Sequence, residues 1–442
     1  MRASRTRARG PAGATRTPAT GPERAAAPSA DDRPARGALQ LRVRHGQGSS
    51  FRLQRLVLLE IAAALLLVGW VIGPAALVPG AVVAVGLAVL ALVRRRGRSL
   101  PEWLATARAL RARQKRAATL ELPPGTEPGL TPVLECDLSL RTYSHGARDR
   151  RPVGIVGDGT FVTAVVQVEA DATALRAERS LRPLPLALVR DALEVDGIRL
   201  ESAQVVLHTQ PAPALHLPPR SVAVTNYAPL QAQTGAPAVR ITWIALKLDP
   251  ELCPEAVAAR GGGLQGAQKC VVRVADHLAS RLTGAGFRAT VLDEEELISA
   301  VATSACANPL VTAEAGRADR RERRTEESSR SWRCDNRRHT TYWIRKWPSL
   351  GGDRGASLHQ FVARVTGVHA LATTISLTLA PGDRREMSLT GHLRVTGRSA
   401  EELTAARRAL EAAARDAGAA LSRLDREQLP GMLATLPLGG AR

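Results

Sequence analysis

The chain has 442 residues, a formal charge of +20, 45% hydrophobic residues and only 3% aromatic ones. At roughly 100–200 residues per domain it has room for two to four units, with cores built mainly from Ala, Val and Leu. The charge is concentrated beside an apolar stretch, +9 over residues 1–55 and +8 over 94–116, leaving about +4 for 117–442; a nucleic-acid reader would carry its excess on the folded part, so no nucleic acid is expected as a partner.

Residues 1–38 are rich in Ala, Arg, Pro, Gly and Thr without periodicity and read as a disordered basic tail. A transmembrane hairpin is expected over 39–98. From Leu56 to Val93 the only charge is Glu60, and the apolar run suits two lean spans, about 56–72 and 77–93, with Gly73-Pro74 and Pro79-Gly80 as the turn. This run begins too far from the N-terminus for a cleavable signal. Arg42, Arg44, Arg52 and Arg55 precede the first span, and Arg94, Arg95, Arg96 and Arg98 follow the second. The positive-inside rule then places both termini in the cytoplasm of a multi-pass protein in the bacterial inner (cell) membrane. Glu60 sits one turn inside the first span, within reach of the headgroup zone or of a partner.

Ser99-Leu100-Pro101-Glu102 has capping-box spacing and opens a juxtamembrane amphipathic helix over 99–119. Its Trp103 stripe and basic residues suit an anionic bilayer or a partner helix. Residues 120–132 read as a Pro/Gly linker, and 133–424 as a cytoplasmic domain, with 425–442 a tail. In that domain, Val153–Val156 and Thr160–Val168 flank Gly157-Asp158-Gly159 as a β-hairpin. A helix near Pro185–Val195 and strands at Leu200–His208 and Val239–Leu248 follow. Gly261, Gly262 and Gly263 open a long helix to about Leu282. They lack the Lys-Ser/Thr placement of a phosphate loop and read as a hinge or partner-contact turn. A strand at Phe287–Leu292 precedes a helix whose first turn holds Asp293, Glu294, Glu295 and Glu296, where a helix dipole favours negative charge. Residues 317–338 form a charged run that reads as a solvated loop, with a docking surface as the alternative. Thr340–Trp347 is an aromatic strand with Trp343 and Trp347 opposite Tyr342, and Trp343 and Arg345 are candidate contacts. A helix near Leu358–Val365, strands at Ala370–Leu379 and Glu386–Val395, and a helix capped by Ser399 complete the series. The fold class is therefore a membrane-anchored α/β (α+β) protein, a transmembrane hairpin followed by a mixed α/β soluble region. No repeat period is detectable.

Chemical motifs are absent: there is no G-x-S-x-G, H-E-x-x-H or dinucleotide fingerprint. The five cysteines, Cys136, Cys253, Cys270, Cys306 and Cys334, are scattered as reduced thiols rather than as a metal set. No catalytic residue, cofactor or metal is assigned. The alternative is a membrane-tethered enzyme for nucleotide- or lipid-linked substrates, using Asp158 or the acids at 293–296. A nucleic-acid binder using 317–347 is a third reading.

The order of features resembles the EccE component of the type VII secretion membrane complex. The resemblance lies in the basic tail, the paired apolar helices ending at Val93-Arg94-Arg95-Arg96, the hairpin Gly154–Gly159, the segment Arg260–Ala267 with its helix and Glu296-Leu297, and Thr341–Arg345. It implies a structural subunit, not an enzyme, that assembles with EccB, the EccC ATPase and EccD and stabilises the translocon for protein export.

Overall fold

The computed structural model describes residues 41–43, 48–92, 94–95, 98–123, 125–146, 151–170, 183–210, 221–222, 225–226, 239–316, 323–348, 358–382 and 386–440. All belong to one compact unit, Leu41–Arg442. The expected disordered tail, Arg44 and Arg96 lie outside these residues.

In chain order, the strand β1 (Leu41–Val43) precedes helices α1 (Gly48–Ile72), α2 (Pro74–Leu92) and α3 (Leu100–Ala118). Next come β2 (Arg141–His145), β3 (Val153–Gly157), β4 (Val162–Ala170), α4 (Leu186–Asp191), β5 (Ser202–Gln210) and β6 (Val239–Leu248). They are followed by α5 (Pro254–Ala258), α6 (Gly263–Gly284), β7 (Phe287–Val291), α7 (Glu294–Ser304) and α8 (Pro309–Ala315). The last part comprises β8 (Thr325–Glu327), β9 (Trp332–Cys334), β10 (Arg337–Lys346), α9 (Leu358–Thr366), β11 (Ala372–Pro381), β12 (Met387–Gly397), α10 (Ala400–Asp416), β13 (Ala420–Arg423) and α11 (Gln428–Leu433).

The N-terminal expectation needs correction. Among the described residues, no helix is long and apolar enough to cross a membrane, so the transmembrane hairpin, and the orientation and multi-pass location built on it, are not retained. The reason lies in the helix boundaries. α1 begins at Gly48, so Arg52, Arg55 and Glu60 fall inside it. Gly73 alone, at φ 123°, breaks the chain, and Pro79-Gly80 lie within α2 instead of forming a turn. The two helices fold against each other with Ala62 and Ala84 buried.

The thirteen strands β1–β13 form one sheet in the order β8-β9-β10-β12-β11-β5-β6-β4-β3-β2, with β1 on β12, β7 on β4 and β13 on β10. All pairings are antiparallel except β1 with β12. Both faces are buried. Val162, Ala164, Val166 and Val168 of β4 join the core beneath α6 and α10. Phe161 and Val165 join the core beneath α7, with Met432 of α11. A strand covered on both sides is apolar on both faces, as β4 is over Ala164–Val166, all fully buried.

The sheet contains a duplication. In the first half, β4 pairs with β6 on one edge and with β3 and then β7 on the other, while β6 pairs onward with β5. In the second half, β10 pairs with β12 on one edge and with β9 and then β13 on the other, while β12 pairs onward with β11. Each half is thus a β-α-β-β-α-β unit preceded by a hairpin and followed by a helix. The halves meet where β5 pairs with β11, Val206 opposite Ser376. Details repeat as well. Buried Val271, Val274, Leu278 and Leu282 of α6 have the spacing of Leu403, Ala406, Leu410 and Ala414 of α10. Gly286 (φ 85°) and Gly418 (φ 77°) end these helices in the left-handed region that favours glycine. Leu292 N–H donates to the Val165 carbonyl at 2.9 Å, and Leu424 N–H to that of Thr341 at 3.1 Å.

Candidate contact surfaces

Among the described residues, most of the exposed large hydrophobic side chains lie on α1 and α2. Leu67, Trp70, Val71, Ile72, Val78 and Val82 are each more than 65% exposed. Contiguous apolar exposure of this kind marks a surface that another apolar body covers. Glu60 is exposed on the same helix. Arg52, Arg55, Arg94, Arg95 and Arg98 lie on described backbone, but their side chains are outside the described set.

α3 docks on its own chain. Arg113 Nε and Nη2 donate to the Glu327 carboxylate at 2.8 and 3.0 Å, and Gln114 Nε2 donates to the Glu327 carbonyl at 2.9 Å. The Trp103 ring lies 4.1 Å beneath the Arg426 guanidinium, a cation–π contact. Trp103 is thereby engaged at the end of the second half-sheet. An S-x-x-E start and an apolar stripe were visible in the sequence, but the acidic receptor 214 residues away was not.

Gly261, Gly262 and Gly263 all have positive φ, 108°, 68° and 54°, making the turn from α5 into α6. Lys269 Nζ donates to the Arg260 carbonyl at 3.0 Å, closing the turn. A Cβ on Gly266 would stand 2.4 Å from the Val257 carbonyl oxygen. The glycines therefore serve a tight turn and the close packing of α6 on α5.

Of the acids considered for catalysis, Asp158, Asp293 and Glu296 are committed to local structure. Asp158 Oδ1 accepts from Thr160 N–H and Oγ1 at 2.9 and 2.7 Å, fixing the hairpin turn. Asp293 and Glu296 form a capping box at the start of α7, and Arg151 Nη2 reaches both carboxylates at 2.6 Å. The Glu296 amide and Arg151 hold the Asp293 carboxyl below its usual range. The Cys136 and Cys334 thiols are pushed up by burial and then by neighbouring acids, Glu135 and Asp335 respectively, so neither is a nucleophile at neutral pH. Among the described residues no group of three or more His, Cys, Asp or Glu could hold a metal ion.

The second half of the charged run is built into the sheet, not solvated. β8 and β9 arise from it, and Arg324 is buried, donating twice to Asp335 at 2.8 Å and to Thr312 Oγ1 at 2.9 Å. Glu135 accepts from the Arg324 and Thr325 amides. A dense mixture of charges looks solvated in sequence; partners from distant segments decide otherwise. At the far end of β10, Trp343 is half-buried and Arg345 exposed. Trp347 lies with Tyr342 in the core beneath α10, edge-on to Phe361 at 6.1 Å. The expected opposition fails because a register shift between Ile344 and Lys346 adds a residue and reverses the alternation.

One open groove, about 320 Å3, lies between the sheet and α7 in the first half, lined by Gln167, Ile241, Trp243, Thr290, Glu296 and Thr303 among others. Trp243 Nε1 donates to Gln167 Oε1 at 3.2 Å at its floor.

Residues 236–344, which hold this groove's β6 and α7 walls, the glycine turn and Trp343, match the family model described as "Putative type VII ESX secretion system translocon, EccE". Over this quarter of the chain the sequence is similar to the EccE family. The matched segment runs from just before β6 to Ile344, two residues short of the end of β10. It therefore spans the second part of one half-sheet and the start of the other. Glu60 and Trp103 lie outside it, and Arg345 falls one residue beyond it. No curated protein matches the chain.

Proposed function

We propose that the protein is a structural, non-catalytic subunit of a type VII secretion translocon, helping to assemble and stabilise it for protein export. The EccE match over 236–344 carries this reading. Two features support it. Three of the acids that an enzyme would use, Asp158, Asp293 and Glu296, are occupied with turn and capping hydrogen bonds. The exposed apolar faces of α1 and α2 suit burial against neighbouring subunits. Its partners in this reading are EccB, the EccC ATPase and EccD, at the cell membrane where they work. Glu60, Arg345 and the glycine turn at 261–263 are exposed or part-exposed positions available for those contacts.

The test is affinity purification of the tagged full chain from its native host under mild extraction. Recovery of an ATPase-containing secretion complex in fixed proportion is the expected result. Recovery of the chain alone, from cells that are actively secreting, overturns the proposal.

A further inference from the structure

The two ends of the sheet are finished differently. At the second half's end, side chains meet the outer edge of β8 at Thr325 and at Glu327. The Thr325 amide donates to Glu135 at 2.8 Å, and the Glu327 carbonyl accepts from Gln114 of α3 at 2.9 Å. The acidic Glu327 side chain is met by basic Arg113. At the first half's end, β2 pairs with β3 alone, Arg141 opposite Gly157 through His145 opposite Val153. Among the described residues nothing pairs with its other edge. Arg141 and Ser144 are exposed, and Thr142, Tyr143 and His145 are half-exposed. An unpaired edge is a template for another strand, and basic residues on it discourage pairing with a like copy.

From this asymmetry we infer that the free edge of β2 receives an extended acidic segment of a partner polypeptide, which adds a strand to the sheet. The charge pattern selects the occupant. At the closed end the acidic Glu327 is met by the basic Arg113; at the open end the exposed charge is the basic Arg141, with the His145 imidazole about 13 Å further along the strand. A matching strand carries carboxylates four positions apart, with small or β-branched residues between them. Main-chain hydrogen bonds supply the affinity and the flanking charges the selectivity. The inference does not depend on the secretion assignment, since it follows from the edge alone.

The test uses the full chain and a pair of fluorescein-labelled nine-residue peptides. One carries Glu-Thr-Val-Thr-Glu at its centre, the other Lys-Thr-Val-Thr-Lys. Fluorescence anisotropy should show saturable binding of the Glu peptide, at least tenfold tighter than the Lys peptide, with slowed hydrogen exchange at residues 142–144. Ser144→Pro, which removes an amide donor, should abolish binding. Arg141→Glu should invert the preference, and this variant decides the matter if Ser144→Pro fails to fold. No binding of the Glu peptide, binding indifferent to peptide charge, or protection elsewhere than β2 would overturn the inference.

Discussion

Arg394 of β12 donates its guanidinium Nη2 to the carbonyl of Ser304, in the last turn of α7. It does so from a fully buried position, with burial lowering its pKa and no carboxylate beside it. Arg337 of β10 continues the pattern, donating to the Cys306 and Ala307 carbonyls at 2.7 and 3.1 Å. Helix α7 belongs to the first half and both arginines to the second. Their positive charge faces the negative end of the α7 dipole, where it is stabilising. The reciprocal crossing is neutral: Gln204 of β5 donates to the Ala434 carbonyl at 2.9 Å and accepts from Gly439 N–H at 2.8 Å, beyond α11. Each half thus holds the trailing segment of the other.

Arg337→Ala leaves two carbonyls without their buried donor and should destabilise the fold by about 1–3 kcal/mol. Arg394→Met leaves one carbonyl without its donor but also removes a buried charge whose Nε and Nη1 have no hydrogen-bond partner and replaces it with apolar volume, so its cost should be smaller than that of Arg337→Ala. Urea unfolding of both variants checks the order. An Arg394→Met cost well above that of Arg337→Ala would contradict this account of the buried charge.

Three histidines make the fold acid-sensitive. Burial and then the nearby Arg394 depress His208 to about 3. Burial depresses His392 to about 4, and the same forces hold His339 well below its usual range. These groups remain neutral in the folded chain while the unfolded chain protonates near 6.5. Stability is therefore intact above pH 6.5 and falls as pH drops below it, towards 4 for His392 and 3 for His208. Each group contributes a loss of about 1.4 kcal/mol per pH unit in that window. Unfolding free energies measured from pH 7.5 to 5 should decline before the ordinary carboxylate range is reached. His208→Gln should flatten the slope by about a third.

The docking of α3 rests on a pair with little exposure, Arg113 at 22% and Glu327 at 3% of their side chains. Glu327→Ala leaves Arg113 of α3 with only the Arg426 carbonyl and should cost about 3 kcal/mol. Limited trypsin digestion should then cleave within Arg108–Arg116, which the unaltered chain protects. Unchanged cleavage would show that Trp103 and Leu110 hold the helix without the pair.

The duplicated helix ends predict equal responses. Gly286→Ala and Gly418→Ala each place a Cβ in the left-handed region and should each cost about 1–2 kcal/mol. Thermal unfolding that separates the two by more than about 2 kcal/mol would argue against their equivalence.

Much of the element series was legible because it rests on local signals. β6 at Val239–Leu248 and the Asp158-Gly159 hairpin follow from alternation and turn chemistry, and α6 and α10 from amphipathic spacing and the Ser399 cap. The duplication was hidden because the insertions between equivalent elements differ. Leu292 and Leu424 are 132 positions apart while their acceptors, Val165 and Thr341, are 176 apart, so no constant period survives. The polar sheet face of His208, His339 and Arg394 reads as exposed in sequence, since only distant carbonyls and hydroxyls make its burial tolerable. Arg394 and Arg337 were missed altogether, because nothing local distinguishes a helix-capping arginine on a strand. The apolar stretch at 56–93 was found correctly as two helices. Its reading as a pair of membrane spans is overturned because, among the described residues, no helix is long and apolar enough to cross a membrane.

The subunit proposal is tested most directly by native gel electrophoresis of extracts from cells expressing the tagged chain, comparing the unaltered protein with the double variant Trp70→Asp, Val71→Asp. The unaltered chain should migrate with the ATPase-containing secretion complex, and the variant, with two charges on the exposed apolar face, should be released from it with secretion lost. An unaltered chain that migrates by itself while secretion proceeds would contradict the account.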